Sequence, residues 1–148
     1  MKILVCVDGS EQSVKALHEA ANLARGYNTD EITVIHVFVS RRAAYFGEVG
    51  FPTSEILAYY RDLEEQEKEN SKKILLQAME ILEGMHLKAK TIFRQGHPAA
   101  TIAQVVEEDG FDLVVMGSRG LGGLKKVLLG SVSNAVLQEV SASVYIVK

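Results

Sequence analysis

Phe111-Asp112-Leu113-Val114-Val115-Met116 runs directly into Gly117-Ser118-Arg119-Gly120, and after nine further residues comes Gly130-Ser131-Val132-Ser133-Asn134-Ala135-Val136-Leu137. The first stretch reads as a strand, the last as the opening of a helix over residues 131–140, with a glycine-spaced loop between them. A strand that feeds a helix through a short glycine loop is the repeating unit of an α/β protein. At a helix opening the first N–H groups lack intrahelical partners and the helix dipole favours negative charge, so an anion is the expected guest. Glycines ahead of such an opening let the backbone approach an anion closely and take positive φ.

The loop differs from two familiar phosphate binders. A Walker A loop needs Lys-Ser or Lys-Thr directly after its last glycine, whereas Ser131-Val132 follows Gly130. A dinucleotide fingerprint belongs in the first strand-to-helix turn, and this loop follows the last-but-one strand.

Outward from this unit, strand-like and helix-like runs alternate along the whole chain, which predicts a parallel sheet covered by helices. Residues 2–7 read as strand one, 31–38 as strand two, 87–93 as strand three, 111–116 as strand four and 144–147 as strand five. Ser10 is placed to cap a first helix with the stripe Val14, Leu17, Ala21 and Ala24, and Gly26 is expected to stop it. A long helix runs from Ser54 to about Leu82 with Gly84 just beyond; its apolar stripe is interrupted in the middle by Glu67 and Asn70. At about 1.5 Å per residue it outruns any strand, so its first half must overhang the sheet. A third helix is expected over residues 99–108.

The composition fits one domain covering residues 1–148, since nearly half of the residues are hydrophobic. Cys6 is the single cysteine and lies in the apolar run Ile3-Leu4-Val5-Cys6-Val7, which points to a buried thiol and a reducing compartment. The first apolar run is broken by Asp8, too short for a signal peptide or membrane span, so a cytoplasmic protein is expected. A net charge of −3 with interspersed signs gives no basic field for nucleic acid and no polybasic patch for a membrane.

The spacing Gly-x2-Gly-x9-Gly-Ser at Gly117, Gly120, Gly130 and Ser131, with Val-Asp-Gly-Ser at residues 7–10, His36-Val37, Gly96-His97-Pro98 and Val115-Met116-Gly117, resembles the ATP-binding branch of the universal stress protein family. The likeness spans nearly the entire chain. It implies an open parallel five-stranded sheet of the adenine nucleotide alpha hydrolase-like type, in the order 3-2-1-4-5 with helices on both faces. Strands one and four then lie side by side at the switch point, where open α/β sheets bind ligands. The resemblance further implies ATP, accompanied by Mg2+ or Mn2+, and a homodimer through the C-terminal strand, whose Val144-Tyr145-Ile146-Val147 would leave an apolar edge.

Site residues are implied by the same likeness, position by position. Val7 and Asp8 end strand one, with the Asp8 carboxylate toward the nucleoside; an acid there can accept ribose hydroxyls or hold a cation's water. Asp8 could instead cap the first helix, but Ser10 is better placed for that. Val37 would receive the adenine edge through its backbone and Met116 would pack nearby. Gly117, Gly120, Gly130 and Ser131 would contact the phosphates, joined by Val132 and Ser133 through N–H or hydroxyl groups.

Arg119, Lys125 and Lys126 could neutralise phosphate charge, but solvated surface is the expected fate of each, and Gly122 and Gly123 suggest a flexible spacer. His18, His36, His86 and His97 show no metal-ligand spacing; His97, on the binding face, is the histidine to watch. The loop from Ser40 to Pro52 is either a lid or partner surface, or a connector tucked against the overhanging helix.

The expected function is ATP binding by a small regulator with an unknown protein partner, not an enzyme, because no residue is placed as a clear water-activating base. Slow ATP hydrolysis and a nucleotide-free scaffold are the alternatives. An ATP-pyrophosphatase would need a Ser-Gly-Gly-type loop after strand one, and a phosphoacceptor receiver would need paired acids there; Val7-Asp8-Gly9-Ser10 is neither.

Overall fold

The computed structural model describes residues 1–40, 53–121 and 129–148. Strands β1 (Ile3–Cys6), β2 (Glu31–Phe38), β3 (Lys88–Gln95), β4 (Leu113–Gly117) and β5 (Ser143–Val147) form a five-stranded sheet in the order β3-β2-β1-β4-β5. Every neighbouring pair is parallel. The chain therefore builds outward from β1 to β3, returns to the other side of β1, and continues to β5. Cys6 pairs with Ile35 of β2 and with Met116 of β4, so the crevice between the ends of β1 and β4 is the switch point.

The two central strands β1 and β4 are apolar without interruption because helices cover both faces of the sheet. Helices α1 (Glu11–Gly26) and α2 (Ser54–Gly84) cover one face, where Ile3, Val5, Val34 and Val115 meet Leu17, Ala20, Ala24, Leu75, Ala78 and Leu82. Helices α3 (Pro98–Asp109) and α4 (Ser131–Glu139) cover the other, where Leu4, Ile35, Val114 and Met116 meet Ile102, Val105, Val106 and Val136. Alternate residues of each strand feed opposite cores, as the two-residue period of a strand requires.

The overhang of α2 is present. Its buried residues are Ser71, Leu75, Ala78 and Leu82, all in the second half, and none of residues 54–70 is buried. The β3 bounds differ from the expected 87–93 because pairing with β2 carries the strand through Arg94 and Gln95. Two helix stops also differ from expectation. Gly26 and Gly84 are the last helical residues, and the left-handed positions fall two residues later, on Asn28 at φ 53° and His86 at φ 62°. Each end closes by paired reverse bonds: Thr29 N–H to Ala24 O and Asn28 N–H to Arg25 O in α1, and Leu87 N–H to Leu82 O and His86 N–H to Glu83 O in α2. Among the described helices only α3 ends on a left-handed glycine, Gly110 at φ 65°.

Among the described residues no helix is long and apolar enough to cross a membrane.

Candidate functional site

The carboxyl ends of β1, β2 and β4, the middle of α2 and the start of α4 enclose a cavity of about 1140 Å3 among the described residues. Its wall brings together Val7, Asp8, Val37, Met116, Gly117, Gly120, Gly130, Ser131, Val132 and Ser133, the full set of expected contacts.

Asp8 reaches this position because β1 ends in a turn at Gly9, whose φ of +83° suits glycine and whose missing Cβ leaves room for Ile74. Ser10 then starts α1, its Oγ accepting the Ser13 N–H at 3.2 Å, so Asp8 is released from capping. The Asp8 carboxylate accepts the Ser10 N–H on Oδ1 at 2.9 Å and the Leu121 N–H on Oδ2 at 3.2 Å. It thereby ties the end of β1 to the glycine loop.

The loop glycines serve close approach, and the expectation of positive φ is corrected: Gly117, Gly120 and Gly130 all lack it. A Cβ on Gly117 would lie 2.7 Å from Gln12 Cβ, so this glycine admits α1. A Cβ on Gly120 would collide with Asp8 Oδ2. Gly130 has ordinary room, 3.5 Å to Arg119 Cα and Ser118 O, and occupies the N-cap of α4 without any side-chain cap. The opening N–H groups of α4 at Ser131, Val132 and Ser133 therefore have no capping side chain and lie at the cavity. The Ser133 hydroxyl donates within the loop, 3.0 Å from both Ser118 O and Gly130 O.

Val37 is aimed by strand geometry. Ile35 O accepts the Val7 N–H at 3.0 Å, and two residues on, Val37 turns its N–H and C=O to the same side, beyond the point where β1 stops pairing.

Several wall residues were not among the contacts expected from the sequence. His36 is buried with Nδ1 2.7 Å from Val7 O and Nε2 3.1 Å from Ser71 Oγ. Glu67, Asn70, Ser71 and Ile74 come from α2, so the polar break in its stripe lies over the cavity and not over the core. That break was the signal available in the sequence. His97, by contrast, is exposed at the N-cap of α3 with no capping bond, and is not part of the wall. Arg119 is half-buried and belongs to the wall, which departs from the expected solvated surface and agrees with the other possibility, a cation on the site side. Lys125, Lys126, Gly122, Gly123 and the loop from Arg41 to Pro52 lie outside the described residues.

Cys6 also touches the cavity, but burial, and after it the Asp8 carboxylate, push its thiol up to about 12. It is protonated and inert at neutral pH. Among the described residues no group of three or more His, Cys, Asp or Glu could hold a metal ion.

The model of the universal stress protein family matches residues 1–148. Universal stress protein YxiE of Bacillus subtilis is 36% identical over 150 residues, covering 99% of this chain and 98% of its own. The solved structure of MJ0577, a universal stress protein of Methanocaldococcus jannaschii, superposes with a TM-score of 0.79 at 28% identity, covering 99% of this chain and 94% of its own. UspA from Lactobacillus plantarum shares the fold with a TM-score of 0.83 at 23% identity, covering 100% of this chain and 97% of its own.

Proposed function

The chain belongs to the universal stress protein family, and on that premise we propose that it is a small cytoplasmic regulator that holds ATP across the ends of β1 and β4. The observation that carries this reading is the uncapped start of α4 opening onto the same cavity as the Asp8 carboxylate and the Val37 amide. An anion-seeking helix end, a ribose-sized acceptor and a backbone donor–acceptor pair match the three parts of an adenine nucleotide. Solved universal stress proteins in complex with cAMP, with dAMP and with AMP support the choice of an adenine nucleotide.

In this reading the base lies against Met116 and meets Val37, Asp8 takes the ribose, and the phosphates meet Gly117, Gly120, Gly130 and the N–H groups of Ser131, Val132 and Ser133. Arg119 adds charge. A Mg2+ or Mn2+ ion would be held by the phosphates, with Asp8 as the nearest wall carboxylate for its water shell. The proposal is binding and not turnover; slow hydrolysis is the alternative. The functional unit is proposed to be a homodimer through β5.

The test is calorimetry with ATP on Gly130→Ala combined with Ser131→Ala. The added Cβ at Gly130 meets only ordinary 3.5 Å contacts, so the fold persists. Loss of ATP binding is expected, and unchanged affinity would remove the phosphate cradle from the proposal. Chromatography of the nucleotide released by acid from freshly purified protein identifies the resident species.

A further inference from the structure

We infer that His36 is the positioning residue that keeps the Val37 amide open to a ligand's base. The inference rests on the nucleotide reading above for its ligand, and on the sheet alone for its geometry.

In a parallel ladder a residue of one strand bonds the residues before and after its partner on the next. Val7 N–H goes to Ile35 O at 3.0 Å, so the next bond would bring Val37 N–H to Val7 O. The pairing instead ends at Cys6 with Ile35. Val7 O is taken by the His36 side chain, whose Nδ1 lies 2.7 Å away. A carbonyl oxygen only accepts, so Nδ1 carries the proton. The ring is held on its other side by Ser71 Oγ, 3.1 Å from Nε2, and Ser71 also lies 2.8 Å from Glu67 O on its own helix. One buried side chain thus directs Val7 O toward itself and off the line of the ladder, and no bond from the Val37 N–H forms to the carbonyl's second lone pair. Val37 is left half-buried in the cavity wall, its amide facing the space beyond β1.

A bland role for His36 is to satisfy Val7 O and fasten α2 to the sheet. Removing the imidazole separates the two roles. If His36 holds the ladder open, its loss lets Val37 N–H close onto Val7 O, and the base loses its donor while the phosphates lose nothing. If His36 only fastens, base and phosphate binding weaken together.

Two measurements on the full chain decide this. In the ligand-free protein, amide exchange at Val37 is expected to be fast, and to slow by at least about tenfold in His36→Leu as the ladder bond forms. By calorimetry, His36→Leu is expected to bind ATP roughly tenfold more weakly, the loss of one net hydrogen bond, and to bind inorganic triphosphate unchanged. His36→Asn, whose amide nitrogen sits as many bonds from Cα as Nδ1, should restore ATP affinity to within about threefold. Circular dichroism confirms that each variant is folded. A Val37 amide already protected in the unaltered chain overturns the inference, as do equal losses for ATP and triphosphate in His36→Leu. If the unaltered chain binds no ATP while Val37 exchanges as stated, the nucleotide reading fails and the ladder substitution stands.

Discussion

Asp8 is a carboxylate whose two oxygens already hold N–H groups of Ser10 and Leu121, at 2.9 and 3.2 Å. Each oxygen keeps a further lone pair, so it can accept a ribose hydroxyl without releasing the loop. Asp8→Asn replaces one acceptor by a donor and is expected to weaken adenosine and ATP alike, by about tenfold or more. Calorimetry with adenosine, ATP and ATP plus Mg2+ checks it: a loss confined to the Mg2+-dependent part would move Asp8 from the ribose to the cation. Gly120→Ala should act through the same group, because its Cβ would displace Asp8 Oδ2. At this scale the sequence showed Asp8 well, since an acid closing an apolar strand stands out. It did not show His36. A histidine inside a β-branched run has the same local signature whether it fills space or holds a carbonyl, and its partners Val7 and Ser71 are 29 and 35 residues away.

Helix ends make a second kind of misreading understandable. Glycine after an apolar stripe normally marks the left-handed stop, yet in α1 and α2 that conformation falls on Asn28 and His86 while Gly26 and Gly84 stay helical. The paired reverse bonds choose the position, and they depend on where Thr29 and Leu87 enter the next segment, not on the glycine. A consequence can be measured. An added Cβ at Gly26 or Gly84 meets nothing within 4 Å, and the backbone there is helical, so Gly26→Ala and Gly84→Ala should each stabilise by about 0.5–1 kcal/mol. Gly110→Ala should destabilise, since Gly110 sits at φ +65° although space is equally open. Urea unfolding of the three variants separates conformation from room. The same sign for all three would refute this account of the helix ends. The overhang of α2 was legible because length alone requires it, and the site-facing role of Glu67 and Asn70 was not, because only the packed sheet shows that their stripe passes the strand ends.

At the scale of the whole molecule, the described strands leave two sheet edges, β3 and β5. The edge at β3 carries Lys88, Lys90 and Arg94, with Lys88 paired to Asp30 at 3.2 Å and Lys90 to Glu31 at 2.8 Å, a charged border that discourages strand addition. The β5 edge has no such border over Val144, Tyr145 and Ile146, and Tyr145 is 41% exposed. The ladder determines which backbone groups face outward. Ser143 N–H goes to Asp112 O and Val147 O accepts Ser118 N–H, so odd-numbered residues of β5 face β4. Val144 and Ile146 then direct their N–H and C=O groups away from the sheet. A second copy of the chain can pair there across a two-fold axis. Val144→Pro removes one outward donor and no bond to β4, an edge-strand setting in which proline suits a strand. Light scattering should find the unaltered chain dimeric, Val144→Pro monomeric, and Val144→Thr, which keeps the N–H, dimeric. A dimer that survives Val144→Pro would move the interface off β5, and the exposed first half of α2 would be the next surface to alter.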